Sequence, residues 1–295
     1  MDRLVAVPNF SEGRSERVID ALGATLGGCS RIVNVHADPQ HNRSVFTVTG
    51  SPEEVRKAIE EGAEHALELI DLRGHQGLHP HVGALDVAPF VWLSEERDET
   101  ARAAALAAAE KIAALGVPVF FYGDLASSEE RRERAYFRRG GPTELARRMA
   151  SGELIPDLGP SEPHPRAGAT LVTARPPLVA FNIELDTPNP EIARAVAERL
   201  RESGGGLPGV RALGLPRDGE RAQVSINIHD AAAVTLARVI ERVRELAAEH
   251  GARPVEAEIV GVVPEAALEG YPDDPPIRGF DASQHVLERV VVPDR

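Results

Sequence analysis

Three histidines lie within seven residues in HQGLHPH, at His75, His79 and His81. Gly77, Pro80 and Gly83 keep this segment out of a helix, and a loop on a rigid scaffold is a common seat of function. Imidazole titrates near neutral pH and suits acid–base work. The same residues could instead hold a metal ion or be solvated loop histidines, and spacing alone leaves the three readings open. Other segments also carry candidate chemistry. VPNFSEG at 7–13 offers Asn9, Ser11 and Glu12 to a ligand, although Ser11 reads first as a helix cap. HADPQHNRS at 36–44 places Asp38, His41, Asn42 and Arg43 at strand ends, with turn and function evenly balanced. SGGGLPG at 203–209 follows a helix, so a C-cap and loop is preferred to a phosphate cradle, and no Walker or dinucleotide pattern occurs. Seven arginines between Arg131 and Arg148 read as a solvated helix face, with Arg138 and Arg139 the pair of most interest.

The elements that must position these residues follow from periodicity. The 295 residues suit one large domain or two smaller ones. Strands are expected at about 4–7, 31–35, 43–49, 82–92 and 117–122, with helices at about 14–26, 52–70 and 99–115. Ser51, Pro52 and Glu54 form a capping box for the second helix. The second half repeats the β-α-β-β-α-β order, with strands at about 178–185, 210–215, 222–228 and 254–263. Alternation of Val224, Ile226 and Ile228 with Ser225, Asn227 and His229 predicts a sheet with one polar face. The fold class is α+β, with two successive ferredoxin-like units and a ligand cleft between them. The boundary is expected in the Pro- and Gly-rich stretch 151–170, giving subdomains 1–169 and 170–295. The tail after Gly270 reads as an extended wrap ending in a strand at 286–292.

The formal charge of −13 argues against nucleic acid as a partner. No apolar run is long enough for a membrane span, and the N-terminus does not resemble a signal peptide, so a cytoplasmic protein is expected. Cys29 is the only cysteine. It excludes an internal disulfide and a thiolate zinc site, and it reads as structural.

Taken together, these segments resemble the glutamate formimidoyltransferase family. The carrying motifs are VPNFSEGR at 7–14, HNRSVFTVTGSPE at 41–53, LIDLRGHQGLHPHVGALDVAPF at 69–90 and PDLGPSEPHPRAGAT at 156–170. ARPPLVAFNIEL at 174–185, SGGGLPGVRALG at 203–214, AQVSINI at 222–228 and EIVGVVP at 258–264 continue the match. The resemblance implies transfer of a formimino group from N-formimino-L-glutamate to N5 of tetrahydrofolate, the co-substrate, with no metal. Alternatives are a formyl donor or a non-catalytic folate-binding homologue. It singles out His79, the second histidine of H-x-G-x-H-P, as the catalytic acid/base. It also implies a folate-contacting segment at Gly159–Gly168, within which Gly159, Pro160, Ser161 and Gly168 are candidates, followed by Ala169 and Thr170. Asn9, His41, Asn42, Arg43, Asp86, Asn182, Gln223 and Asn227 complete the implied substrate site. A homodimer and the absence of a cyclodeaminase domain are further implications. The chain departs from the family pattern at Leu78 and His81, where acidic and arginine side chains are expected. A site Asp of the pattern falls at His36, with Asp38 close by.

Overall fold

A computed structural model describes residues 3–94, 96, 98–217, 219, 221–231 and 233–291. The chain divides into two compact units, Met1–Pro176 and Pro177–Arg295. In the first, β1 (Leu4–Ala6) and β2 (Asn9–Phe10) form an interrupted strand between β4 (Arg43–Gly50) and β5 (Leu85–Val91). The interruption falls at Pro8, which has no N–H to give a ladder. β3 (Arg31–Asp38) extends the sheet beyond β4, antiparallel. On the other side, β7 (Thr170–Arg175) runs parallel to β5, and β6 (Val119–Phe121) runs parallel to β7. β7 thus belongs to the first sheet, which moves the boundary from 169/170 to 176/177. The stretch 151–170 is not a free linker. Leu158 pairs with Val119, and Gly168 pairs with Gly83.

Helices α1 (Glu16–Cys29), α2 (Pro52–Leu69) and α3 (Asp98–Ala114) supply one core layer with the sheet. The α2 capping box forms as expected, with Ser51 and Glu54 bonding reciprocally. α1 is capped by Ser15, not Ser11. A second apolar cluster joins Val87, Phe120 and Leu171 to Phe137 of α4 (Arg134–Arg138) and to Leu145 and Met149 of α5 (Gly141–Ala150). The arginine-rich segment is therefore not simply a solvated face. Arg148 is fully buried, donates to the Tyr136 carbonyl at 2.7 Å and pairs with Glu153.

The second unit has four antiparallel strands in the order β11–β8–β10–β9. They are β8 (Val179–Leu185), β9 (Val210–Pro216), β10 (Ala222–Ile228) and β11 (Pro254–Ile259). Helices α6 (Pro190–Leu200) and α7 (Leu236–Ala248) cover the face that carries Val224, Ile226 and Ile228. The glycine run forms a loop after α6 as expected, but the C-cap of α6 is Arg201, and Gly205, with φ 77°, caps the single turn Glu202–Gly204. A Cβ on Gly204 or Gly206 would strike the α6 backbone at Glu198 or Leu200. The expected strand at 286–292 is corrected to short helices α8 (Ala282–His285) and α9 (Leu287–Val291), with Val292 outside the described residues. Leu287, Val290 and Val291 are buried while Glu288 and Arg289 are exposed, which is helical spacing. Asp281 caps the turn by accepting from the Ser283 N–H at 2.8 Å. Among the described residues no helix is long and apolar enough to cross a membrane.

Candidate active site

Asp86 anchors the site on β5. It is 2 % exposed, its Oδ1 accepts the Val82 N–H at 2.8 Å, and its Oδ2 pairs with Arg138 of α4. Burial alone would raise this carboxyl, but Arg138 and Arg43 hold it below the usual carboxylate range. Arg43, the first residue of β4, donates from Nη1 to His79 Nε2. Its burial beside Arg138 pushes Arg43 down to about 9, which leaves it charged at neutral pH.

His79 has both ring nitrogens engaged. Arg43 is a donor only, so Nε2 must present its lone pair. Nδ1 then carries the hydrogen and donates to the Pro80 carbonyl at 2.8 Å. This is one defined neutral tautomer, with the base nitrogen facing a guanidinium. Removal from water, then Arg43 and Arg138, hold its pKa well below 6.5. His41 lies beside it at a ring separation of 5.9 Å.

The other two histidines are placed differently. His75 stacks edge-on against His81 at 4.3 Å, and its burial with His81 nearby pushes it down to about 4. Among the described residues no group of three His, Cys, Asp or Glu is arranged to hold a metal ion.

Asn42 explains why the loop keeps its shape. Its φ is 49°, a conformation asparagine tolerates. Oδ1 accepts the Gly13 N–H at 2.9 Å, and Nδ2 donates to the Gln76 carbonyl at 3.1 Å. It therefore ties the 7–13 loop to the histidine loop. Asn9 is engaged locally, donating to the Val7 carbonyl at 2.6 Å. Ser11 donates to the Gly83 carbonyl at 2.7 Å, and Thr170 donates to the Leu85 carbonyl at 2.8 Å. Asp38 accepts from the N–H groups of Gln40 and His41 at 2.8 and 2.9 Å. These residues build the scaffold under His79.

The segment 159–170 separates into two parts. Gly159, Pro160 and Ser161 form an exposed turn, while Ala169 and Thr170 are buried against the sheet. Gly168 makes a close backbone approach. A Cβ there would lie 2.1 Å from the Val82 carbonyl oxygen, and its φ is +67°. Asn182, Gln223 and Asn227 lie on the polar face of the second unit's sheet. Ser225 pairs with Asn182, and Gln223 pairs with Glu184. Asn182 donates to Glu258 at 3.3 Å, and Gln223 is fully buried with neither amide atom hydrogen-bonded among the described residues.

Sequence reasoning missed Arg134 and Arg175. Arg134 lies over the Tyr122 ring at 5.9 Å, and its burial with Arg138 nearby lowers its pKa. Arg175 is pushed down to about 10 by burial. The i,i+4 spacing of Arg134 and Arg138, bracketing the buried Phe137, was the available signal. Arg139 proves to be an exposed residue paired with Glu153. The departures sit at the rim. Leu78 is 39 % exposed, and His81 Nδ1 lies 3.3 Å from the His79 carbonyl oxygen. His36 pairs with Val45 across β3 and β4.

Residues 3–175 match the model of the formiminotransferase domain, N-terminal subdomain, and residues 180–270 match that of the formiminotransferase domain. Glutamate formimidoyltransferase from Streptococcus pyogenes serotype M1 is 36% identical over 290 residues, covering 96% of each chain. Its counterpart from Thermoplasma acidophilum is 37% identical over 276 residues, covering 91% of this chain and 90% of that one. Formimidoyltransferase-cyclodeaminase of Rattus norvegicus is 38% identical over 280 residues, covering 91% of this chain and 51% of the rat protein. With both halves matched in order around the His79 loop, this chain belongs to the formiminotransferase domain family.

Proposed function

We propose that this chain transfers the formimino group of N-formimino-L-glutamate to N5 of tetrahydrofolate, releasing L-glutamate and 5-formiminotetrahydrofolate. The observation that carries this reading is the alignment along 96% of both chains with a glutamate formimidoyltransferase. The geometry around His79 supports it. N5 attacks the amidine carbon, the N5–C bond forms, and N5 must lose its proton. The C–N bond to glutamate then breaks, and that nitrogen must gain a proton. One imidazole can take the first proton on Nε2 and return it to the leaving nitrogen. The Pro80 carbonyl holds the tautomer that such a relay requires. Holding both substrates in one site supplies much of the remaining acceleration.

In this reading the two units are ferredoxin-like subdomains. The strand order β11–β8–β10–β9 of the second unit supports that topology. The exposed turn at Gly159–Ser161 contacts folate. The chain acts in the cytoplasm as a homodimer, without a metal. A formyl donor is the second reading, favoured by Leu78 and His81 at the rim of the loop. The test is glutamate release from formimino- and formylglutamate, each with and without tetrahydrofolate. Folate-dependent release from the formimino donor is expected. Release from neither donor would overturn the proposal, and release from the formyl donor alone would select the second reading.

A further inference from the structure

The surroundings of His79 hold more positive charge than the protein itself neutralises. Arg43, Arg134 and Arg138 act on one another electrostatically, and Asp86 is the buried carboxylate that faces all three. Exposed Glu133 acts on Arg134 more weakly than Asp86 does. Three guanidiniums beside this one carboxylate give an excess of positive charge in a low-dielectric setting, while buried Asp38, across the ladder from Arg43, is engaged by the Gln40 and His41 N–H groups. Hydrogen bonding shows the same deficit. Among the described residues the buried Nε of Arg43 and the buried Nε of Arg138 have no acceptor. Among the described residues Arg134 makes no ion pair, and its contact is with the Tyr122 ring. A buried donor without an acceptor costs about 1–3 kcal/mol, and more if charged. A bound carboxylate would relieve several such costs at once, because guanidinium and carboxylate match in a paired geometry.

The Arg43 contact gives this deficit a consequence for catalysis. Its guanidinium donates to the nitrogen that must accept the substrate proton. A base so covered cannot take that proton until the guanidinium moves. We infer that Arg43, Arg134 and Arg138 form a clamp for a carboxylate of the dicarboxylic donor. Binding of that carboxylate draws Arg43 off His79 Nε2, so that the base is uncovered only when the donor is in place. This rests on the formimino- or formylglutamate reading above for the identity of the ligand. Arg43 is then a positioning residue whose partner changes on binding, and Arg134 is a donor-specificity residue. The anion also offsets the field that depresses His79, so the ring becomes a stronger base as the clamp closes.

Glutarate is the probe, because it has the carboxylates of glutamate and no group to transfer. Ring nitrogens of 15N-labelled protein are followed by NMR while glutarate is added, with His79→Asn assigning the resonance. Saturable binding, a shift of the His79 Nε2 signal and a rise of at least one unit in its apparent pKa are expected. Arg134→Met should weaken glutarate binding and raise the donor KM at least tenfold, with the tetrahydrofolate KM unchanged. Arg134→Lys should recover part of the loss. Methionine removes one cation and relieves repulsion, and lysine keeps the charge, so circular dichroism should show both variants folded. Failure of glutarate to bind the wild type would overturn the clamp. So would saturation without movement of the His79 signal, or wild-type affinity in folded Arg134→Met. The functional reading is judged separately. Turnover without a glutarate-induced shift defeats only the clamp, and a shift without turnover of either donor defeats only the assigned reaction.

Discussion

At the scale of single residues, the pairing of Asp86 with Arg138 sets both the electrostatics of the site and a local contribution to stability. Removing one member of a buried ion pair strands the other and typically costs about 3–5 kcal/mol. Asp86→Ala should therefore lower the free energy of urea unfolding by roughly that amount, and an unchanged unfolding midpoint would show the pair to be dispensable. The histidines give a second expectation. His75 is pushed to about 4, and His79 is also held below its ordinary 6.5. Both stay neutral in the fold under conditions where the unfolded chain would protonate them. Their contribution is thus full above about 6.5 and falls away below it, for His75 progressively as pH falls towards 4. The melting temperature should drop between pH 7.5 and pH 5, and His75→Gln should flatten that drop. Of this residue chemistry, the histidine loop, Arg43 and Arg138 were each singled out in the sequence. Their pairings were not, because Arg43 lies 36 positions before His79 and Arg138 lies 52 positions beyond Asp86. Only the folded sheet brings such distant positions together.

At the scale of elements, the histidine loop is fixed by close backbone approach rather than by an apolar core of its own. A Cβ on Gly83 would lie 1.9 Å from the Ala169 carbonyl oxygen, and one on Gly77 would lie 2.3 Å from that of His41. Both partners are backbone atoms and cannot rotate away. Gly83→Ala should cost about 1–3 kcal/mol in urea unfolding, in the range of overpacking penalties, and lower kcat by displacing the loop. Wild-type stability and activity in that variant would show that the approach can relax. Most elements were readable from period and caps, including the α2 capping box and the alternation in β10. The resumption of the strand at Asn9–Phe10 beyond Pro8 and the tail helices were not read. The first depends on how a proline without an N–H is accommodated in the sheet. The second arose because a short run of valines fits both strand and helix until the exposed pair Glu288 and Arg289 is weighed.

At the scale of the whole molecule, two sheets form two units, each with its own core. The repeated order of strands and helices was legible, but the boundary was not. Thr170–Arg175 follows a loop rich in Pro and Gly and yet joins the first sheet in parallel with β5. Parallel pairing across so long a connection leaves no local signature in the sequence. Family membership now rests on matched models over both units, while proton transfer by His79 is the proposal that the family motif implies and the site's geometry supports. The most direct test of that assignment compares wild type with His79→Asn in a single turnover of N-formiminoglutamate with saturating tetrahydrofolate. His79→Asn should bind folate as the wild type does and release glutamate about 10²–10⁴-fold more slowly. Release at a near-normal rate would contradict the role given to His79.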